Sequence, residues 1–365
     1  MRSSLIVSVL IGVASLLSQS YSGTATETAA LPSARLSHTN LLVYHNRSGK
    51  ERPVKSVRDW KKRRAEIRVH MQEVMGPLPG RKKRCPLDVQ LIEETDRGLY
   101  VMWSITYAAE PGGRVPAYVL IPKIAFRKKI KLPGVLALHQ THRLGNKVVV
   151  GLGDSPNDQY GVELAERGYV VLAPAYPLLA EYHPDLKALG YVSGTMKAIW
   201  NNVRGLDLLD SLPFVRPGRF AAIGHSLGGH NSIYTAVFDE RLKVIVSSCG
   251  FDSYRDYMDG NIKGWASERY MPRLLSHKPE EIPFDFHELI GALSPRSCFV
   301  SAPLGDTNFK WRSVDSVTEA ARPVYHLFGA EKKLQVEHPD CGHLFPREMR
   351  EAAYQMIDSE LRRSR

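Results

Sequence analysis

The sequence predicts an α/β fold in which helices cover both faces of a mostly parallel central sheet. Three observations carry this prediction. After Pro133, continuous apolar runs alternate with helical stretches, which is typical of buried parallel strands joined by crossover helices. Before Pro133, segments of period two indicate antiparallel strands at the N-terminal edge of the sheet. The chain has 365 residues, 43% of them hydrophobic, so it can bury a large core, and a disordered or fibrous protein is excluded.

Residues 1–20 are predicted to be a signal peptide. Arg2 precedes an apolar run at 5–17, and small and polar residues follow that run. The run is shorter than the roughly 20 residues that a bilayer span needs. We therefore expect a secreted or periplasmic protein without a stable membrane anchor.

The charge of the chain does not indicate a nucleic-acid partner. Lys and Arg outnumber Asp and Glu by 49 to 38, which gives a net charge of +11. A positive field favours polyanions in general. The densest basic runs, at 61–64 and 81–84, lack the interleaved aromatic residues of a nucleic-acid surface, so we interpret them as solvated faces.

Residues 21–85 are predicted to form an N-terminal arm and a helix. Residues 21–55 show no period, which predicts a mobile arm. The helix begins after Ser56, which can cap it together with Asp59, and ends at Gly76-Pro77. Its apolar stripe is expected to pack on the body of the protein.

Residues 86–365 are predicted to form one domain of strands and helices. The antiparallel strands correspond to the period-two runs at 99–107 and 115–121. The continuous apolar strands are expected at 134–139, 169–173, 220–224, 243–248, 298–303 and 334–338. The helices are expected at 162–167, 195–212, 227–238, 313–321 and 347–362.

The alternation is interrupted after the sixth predicted strand. Residues 251–296 are rich in Tyr, Trp, Arg and Pro and are too many for a simple crossover. An insertion at this point would lie over the carboxyl edge of the sheet. Trp265, Arg269 and Tyr270 are the residues of the insertion that we expect to contact a bound molecule.

The strongest local signal is a G-x-S-x-G motif, Gly224-His225-Ser226-Leu227-Gly228, directly after a predicted strand and directly before a predicted helix. A serine in so sharp a turn needs neighbours without side chains. The turn would expose the Ser226 hydroxyl and direct the amide of Leu227 toward an oxygen that becomes negative. The alternative is a glycine-rich loop that only packs the helix closely on the strand.

A serine hydroxyl becomes a nucleophile when a histidine accepts its proton and a carboxylate orients that histidine. After such a motif the order along the chain is serine, acid, histidine. His343, in the loop after the last predicted strand, is the candidate base. The competing histidines lie near a strand, in the insertion or on the helix after the motif: His338, His277, His287 and His230.

Asp306, immediately after the predicted strand at 298–303, is the candidate acid. A carboxylate on a glycine-bearing turn can equally be a turn cap. Asp252, after the preceding strand, is the rival. Asp340 is closer to His343 in sequence but is expected to serve its own loop.

The loop after the strand at 134–139 is expected to supply a second amide to the same oxygen, from Gln140 or, as second choice, from Thr141. His139 and His142 in this loop could suggest a metal pair, but no third ligand is evident. We expect neither a metal nor another cofactor.

The four cysteines are Cys85, Cys249, Cys298 and Cys341. An oxidising compartment permits disulfides, and four cysteines allow three full pairings. Buried free thiols are the alternative. The chain has no C-x-x-C pair, so a zinc site built on thiolates is not expected.

The motif around Ser226, the strand ending at Pro174 and the turns of Asp306 and His343 resemble the α/β-hydrolase superfamily over residues 135–361. Within it, the chain is similar to secreted bacterial esterases such as acetyl xylan esterases and dienelactone hydrolases, and to the prolyl oligopeptidase catalytic domain. The resemblance implies the α/β-hydrolase fold.

The chain departs from two members of this group. Glucuronoyl esterases carry an arginine right after the nucleophile, where this chain has Leu227, although Arg269 or Arg273 could supply a positive charge. A prolyl oligopeptidase has a large propeller domain, and only residues 1–85 precede the catalytic domain here.

The expected function is hydrolysis of carboxylic esters by Ser226 through an acyl-enzyme, with acetyl groups on polysaccharides as the preferred substrate. A small-molecule ester is the other expected partner. The alternatives are a peptidase or amidase with the same triad and a non-catalytic binding protein that kept the fold.

Overall fold

The computed structural model describes residues 35–362, so the predicted signal peptide at 1–20 and the start of the predicted arm lie outside the described residues. The strands are β1 (Val43–His45), β2 (Glu51–Pro53), β3 (Gln90–Asp96), β4 (Tyr100–Glu110), β5 (Gly113–Pro122), β6 (Leu132–Leu138), β7 (Val170–Pro174), β8 (Val215–His225), β9 (Leu242–Ser248), β10 (Ser297–Ser301) and β11 (Leu334–Glu337). The α-helices are α1 (Val57–Met75), α2 (Lys123–Lys128), α3 (Tyr160–Glu166), α4 (Gly194–Ser211), α5 (Leu227–Phe238), α6 (Phe286–Leu293), α7 (Trp311–Leu327) and α8 (Arg347–Leu361).

The central sheet contains nine strands in the order β11-β10-β9-β8-β6-β7-β5-β4-β3. The strands from β6 to β11 are parallel to one another. β5 joins β7 in antiparallel orientation, and β4 and β3 continue that antiparallel edge. Because parallel strands share their carboxyl edge, the loops after β6, β8, β9, β10 and β11 meet at one side of the sheet.

Each face of the sheet has its own apolar core, because side chains alternate between the faces along a strand. In β9, Ile245 belongs to the core under α1 and α4 to α7, whereas Val244 and Val246 belong to the core under α3 and α8. The two layers of helices hold the carboxyl edge in place from both sides. Across residues 35–362, no helix has both the length and the apolar character that a membrane span requires.

The predicted fold class is confirmed, and α5 has the predicted bounds 227–238. The insertion at 251–296 follows β9, which is the seventh strand of the sheet because β3 precedes the two antiparallel runs that the sequence predicted. The insertion contains four short 3-10 helices, at 257–260, 262–265, 272–276 and 279–281. It also contains α6, which the sequence analysis missed, although Asp285 and Glu288 form a capping box at its start.

The predicted mobile arm at 21–55 requires a correction from residue 35 onward. β1 and β2 form a small antiparallel sheet, and Leu36, Leu41 and Val54 are buried. The prediction relied on the absence of a period, but a segment without a period can still bury single apolar side chains against a preformed surface.

A buried charge cluster ties this N-terminal segment to α6. The Nδ1 atom of His38 lies 2.6 Å from Glu288 Oε1, and Arg63 Nη2 donates a hydrogen bond to the same oxygen at 3.2 Å. The side chains of Arg63 and Glu288 are buried. Removing one partner of such a pair costs about 3–5 kcal/mol, because the other charge stays buried alone. The N-terminal segment is therefore held firmly on the insertion.

Candidate active site

Ser226 lies in the sharp turn between β8 and α5. Its backbone has φ 52° and ψ −118°, a left-handed region that a residue with a side chain rarely adopts. The turn is held by a hydrogen bond from the Ser226 amide to the carbonyl oxygen of Ser248, at 2.8 Å. Ser226 is only partly buried. The sequence-predicted strand, turn and helix around it are all present.

The two glycines of the motif are required by close backbone approaches. A Cβ on Gly224 would lie 2.2 Å from the carbonyl carbon of Gly228, and a Cβ on Gly228 would lie 1.9 Å from the carbonyl oxygen of Leu138. Both obstacles are main-chain atoms, which cannot rotate away as a side chain can. The start of α5 therefore lies directly on the end of β6, and this contact brings the loop after β6 beside Ser226.

His343 and Asp306 face each other from neighbouring loops. His343 lies between β11 and α8, and its Nδ1 atom is 3.0 Å from both carboxylate oxygens of Asp306, which follows β10. The carboxylate can only accept, so Nδ1 carries a proton, and in the neutral ring the lone pair is on Nε2. The Asp306 side chain is 1% exposed and that of His343 23% exposed, so the histidine is the member of the pair that reaches solvent.

The surroundings of Asp306 keep its carboxylate ionised. Burial raises the pKa of Asp306, but the hydrogen bond and charge of His343 and the amides of Asn308 and Phe309 outweigh burial and lower the pKa below its ordinary value. At neutral pH, Asp306 is therefore a charged acceptor that fixes the tautomer and orientation of His343.

The rival acids have other partners. Asp252 is buried, and its Oδ2 atom accepts a hydrogen bond from the Lys310 amide at 3.1 Å rather than from His343. Burial raises the pKa of Asp252 to about 7. Asp340 is exposed on its loop. His338, a rival base, is held by the Ala302 carbonyl and by Asp315.

Ser226 and His343 line the same pocket, whose volume is about 300 Å³. In residues 35–362 no hydrogen bond joins the Ser226 hydroxyl to His343, and such bonds are often long until a substrate is bound. The His343 ring packs against His225, at a centroid distance of 4.8 Å, and against Phe309, at 6.0 Å. The pocket therefore brings the hydroxyl and the imidazole into one space, with the imidazole in contact with two rings.

His225 does not compete with His343 for a proton. Burial, together with the neighbouring charge of His343, lowers the pKa of His225 to about 3. Its Nδ1 atom lies 3.2 Å from the Ser248 hydroxyl. A neutral ring beside His343 packs against it without adding charge.

Two backbone amides beside Ser226 lack hydrogen-bond acceptors within the described part of the chain: those of Leu227 and Gln140. Leu227 is the first residue of α5, where the helix dipole favours negative charge, and both residues line the pocket. Two amides placed beside one hydroxyl can stabilise an oxyanion that forms there.

We compared the chain and its structure with known proteins. No protein-family model matches the chain. The protein of Bacillus subtilis (strain 168) named "Putative hydrolase YtaP" is 25% identical over 311 residues, which are 82% of this chain and 100% of that protein. Among solved structures, the glucuronoyl esterase from Solibacter usitatus superposes with a TM-score of 0.68 and 19% identity, covering 92% of this chain and 100% of that one. The acetyl xylan esterase from Paenibacillus sp. R4 gives a TM-score of 0.55 and 20% identity, covering 76% and 90%.

This chain has the α/β-hydrolase fold. The long coverage and the strand order together support that conclusion, and they confirm the fold that the resemblance implied. The candidate residues stand at the carboxyl edge of the sheet, where open α/β sheets bind their ligands.

The insertion forms one wall of the pocket. Trp265 and Tyr270 line it, as the sequence analysis expected, and the Tyr270 hydroxyl lies 3.0 Å from Thr141 Oγ1 in the loop after β6. Arg269 is placed differently from the expectation. It does not line the pocket, because its Nε atom donates to the Leu178 carbonyl at 2.9 Å.

The two histidines considered as a metal pair, His139 and His142, both accept hydrogen bonds from backbone amides. The Nε2 atom of His139 accepts from the Tyr176 amide at 3.0 Å, and His142 Nδ1 accepts from the Leu144 amide at 3.1 Å. All four cysteines lie in the described residues and are free thiols.

Cys249 is a neighbour of the histidine and acid that the sequence analysis did not predict. Its sulfur, one Asp306 oxygen and one His343 nitrogen lie within 4.8 Å of one another. The thiol donates to the Leu344 carbonyl at 3.3 Å, and burial raises its pKa. Cys249 is therefore a neutral packing residue under the pair.

Other pocket residues were also missed. His225 occupies the variable position of the G-x-S-x-G motif, and Asn308 and Phe309 follow Asp306 in the same turn. Their adjacency to candidate residues was the available signal. A turn that places a carboxylate at a site carries its neighbours there as well.

Proposed function

We propose that this α/β-hydrolase cleaves carboxylic esters by nucleophilic catalysis with Ser226 as the nucleophile. The observation that carries the proposal is one pocket that holds a strained serine, a histidine oriented by a carboxylate at 3.0 Å, and two free amides. These are the parts that acyl transfer requires. The similarity to a hydrolase and to two carbohydrate esterases supports the same reaction class.

The reaction proceeds in two halves. His343 Nε2 accepts the Ser226 proton while the serine oxygen attacks the ester carbonyl carbon. The amides of Leu227 and Gln140 bind the resulting oxyanion, and Asp306 stabilises the imidazolium. His343 then protonates the leaving alcohol, and an acyl-serine remains. Water, deprotonated by His343, attacks the acyl carbon, and collapse of the second intermediate releases the acid and restores Ser226.

Acylated carbohydrates are the substrate class that we propose, with acetyl as the acyl group. Two of the structural neighbours are named as a glucuronoyl esterase and an acetyl xylan esterase. The pocket of about 300 Å³ is walled by the rings of Trp265, Tyr257 and Tyr270, which suit a sugar ring. Leu227 supplies no cation for a uronate, and Arg269 is directed to the Leu178 carbonyl.

Export is part of the proposal. The predicted signal peptide at 1–20 would deliver the enzyme to the periplasm or the medium, where polysaccharide substrates are found.

The experiment uses the purified chain from residue 21 onward, with acetyl, feruloyl and methyl-uronate esters of sugars as a panel. Fluorophosphonate labelling of the same preparation reports whether a serine is activated. Ser226→Ala should abolish both labelling and hydrolysis. Ser232→Ala is the matched control, because Ser232 lies on α5 directly after the turn but is buried and donates to the Gly228 carbonyl, so labelling should stay intact.

The outcome of these assays distinguishes an esterase from an amidase and from a binding protein. Acetyl-ester hydrolysis together with labelling at Ser226 is the expected outcome. Faster cleavage of a chromogenic peptide than of any ester would identify an amidase instead. An absence of labelling in the folded wild-type protein would identify a binding protein without catalytic activity.

A further inference from the structure

Three residues that line the pocket each carry a buried polar atom without a hydrogen-bond partner among residues 35–362. The atoms are Gln140 Oε1, His230 Nε2 and Trp265 Nε1. These residues are 8%, 4% and 3% exposed, so water contributes little to them. Buried polar groups are nearly always paired, and an unpaired one costs free energy. Three such atoms around one pocket indicate that a bound molecule supplies the missing partners.

The hydrogen-bond role of His230 is fixed by its surroundings. Its Nδ1 atom lies 3.1 Å from the Gly250 carbonyl oxygen, which can only accept, so the proton is on Nδ1. The Nε2 atom is therefore an acceptor. Burial lowers the pKa of His230 to about 3, so the ring is neutral at the pH of any ordinary assay.

His230 is close to the reacting serine. It lies one helical turn after Ser226, and its amide donates to the Ser226 carbonyl at 3.3 Å. Its ring packs against Trp265 at a centroid distance of 4.6 Å and against Tyr270 at 6.0 Å. The Nε2 acceptor therefore lies on the rigid start of α5, and its ring packs against the aromatic wall of the insertion.

The charge of the pocket limits what can meet this acceptor. Within the described residues, the lining contains no Lys, Arg, Asp or Glu side chain. A carboxylate would find no cation there and would face two acceptors, Gln140 Oε1 and His230 Nε2. A neutral hydroxyl can donate to one of these acceptors and accept from the Trp265 indole.

We propose that His230 Nε2 accepts a hydrogen bond from a free hydroxyl on the sugar that bears the acyl group, so that the pocket selects neutral, partly acylated sugars over fully capped ones. The proposal rests on the proposed function for the identity of the ligand. A ligand without the hydroxyl binds more weakly, because it leaves the buried acceptors unpaired when it binds.

The experiment measures binding, because binding does not depend on turnover. Ser226→Ala keeps the pocket and prevents hydrolysis. Titration calorimetry with this variant compares a methyl xyloside monoacetate with the same compound whose free hydroxyls are O-methylated. We expect the capped ligand to bind about tenfold more weakly or worse, as for one lost hydrogen bond to a buried group.

His230→Asn in the Ser226→Ala background tests the residue itself. Asparagine can keep the donor to the Gly250 carbonyl but has no atom at the position of Nε2. We expect the monoacetate to bind about tenfold more weakly and the difference between the two ligands to disappear. Tyr254→Phe is the matched control, because Tyr254 is buried in the same aromatic cluster, bonds to the Tyr234 hydroxyl and lies outside the pocket lining. It should keep the difference.

Equal affinity of Ser226→Ala for the two ligands would overturn the inference, and so would a difference that survives His230→Asn. Should His230→Asn not fold, the comparison of the two ligands on Ser226→Ala decides alone. The proposed function is tested separately: absence of ester hydrolysis by the wild type with hydroxyl-dependent binding intact would refute the enzyme and keep the binding site.

Discussion

The turn around Ser226 and the insertion at 251–296 form the two sides of one pocket by different physical means. At the turn, main-chain atoms set the geometry: the Gly228 position lies against the Leu138 carbonyl, and the Ser226 amide bonds to Ser248. In the insertion, side chains set the geometry, because Trp265 packs on six rings, including that of His230. The short 3-10 segments of the insertion belong to no strand ladder among the described residues.

This difference separates chemistry from selectivity. A hydroxyl and two amides that must stand within tenths of an ångström of their working positions are carried by a parallel sheet, which moves little. Apart from His230 on α5, the groups proposed to discriminate among substrates are packed rings of the insertion, which can be replaced one at a time. We therefore expect substitutions at the turn to lower kcat and substitutions in the insertion to change mainly KM.

The largest effect should come from the serine and its base. Ser226→Ala or His343→Ala should lower kcat by about 10⁴-fold or more, because either change removes the nucleophile or its activation. Steady-state kinetics on an acetyl ester measures this, and circular dichroism checks that the fold is intact. A loss smaller than tenfold for both variants would show that another group performs the reaction.

The acid should come next. Asp306→Asn should lower kcat by about 10⁴-fold, because the amide holds His343 in the wrong tautomer and cannot stabilise the imidazolium. Asp252→Asn is the matched variant, since it changes the other buried carboxylate that holds the same loop through Lys310, and it should cost less than about tenfold. If Asp252→Asn is the more damaging of the two, the acid has been misassigned.

A pair of glycine substitutions compares the two sides directly. Gly228→Ala places a methyl group 1.9 Å from the Leu138 carbonyl oxygen and should lower kcat/KM by about 100-fold, because the turn must shift. Gly264→Ala places one 2.4 Å from the Tyr257 hydroxyl, the far end of a side chain that can move, and should cost less than about tenfold. Equal losses of kcat/KM in the two variants would show that the side of the pocket formed by main-chain atoms is no less tolerant than the side formed by side chains.

The stability of the sheet edge should depend on pH. Burial lowers the pKa of His139 to about 4, against about 6.5 in an unfolded chain. As the pH falls below about 6.5, the unfolded chain takes up a proton that the folded one refuses, so stability is full above 6.5 and is lost toward pH 4. Urea unfolding at pH 7, 6 and 5 should give a slope that His139→Gln reduces by at most about 1.4 kcal/mol per pH unit.

His183 is the control for that slope, because it lies exposed on the surface. His183→Gln should keep the slope of the wild type. An unchanged slope in His139→Gln would show that this histidine is protonated in the folded protein as well.

The smallest effect should come from the contact that joins the two sides. Tyr270→Phe removes the hydroxyl 3.0 Å from Thr141 Oγ1 and should raise KM by about two- to fivefold with kcat unchanged, as for one neutral, exposed hydrogen bond. A change in kcat without a change in KM would assign Tyr270 to the turnover step instead.

The sequence predicted strand ends better than side-chain directions. Ser226, Asp306 and His343 could be named because each follows a recognisable apolar run, and parallel strands share one carboxyl edge. Arg269 could not be placed, since irregular backbone fixes no direction for a side chain. The unpaired Nε2 atom of His230 depends on a carbonyl twenty residues away in sequence, which no local pattern encodes.

The insertion was also the least predictable part of the fold. The position of the insertion was found from its length. The helix α6 within it was missed, because a run of eight residues is too short to show a helical period. The order of residues 35–55 was missed for a related reason: their partners, such as Glu288, lie far along the chain.

That distance has a consequence for biosynthesis. His38 meets Glu288 across 250 positions, so the earliest described segment leaves the ribosome long before its partner exists. The contact between His38 and Glu288 cannot form until the chain has grown past residue 288 of 365. Contacts between residues so far apart in sequence slow folding. The N-terminal segment that carries His38 is therefore among the last parts of a newly made molecule to reach its folded position.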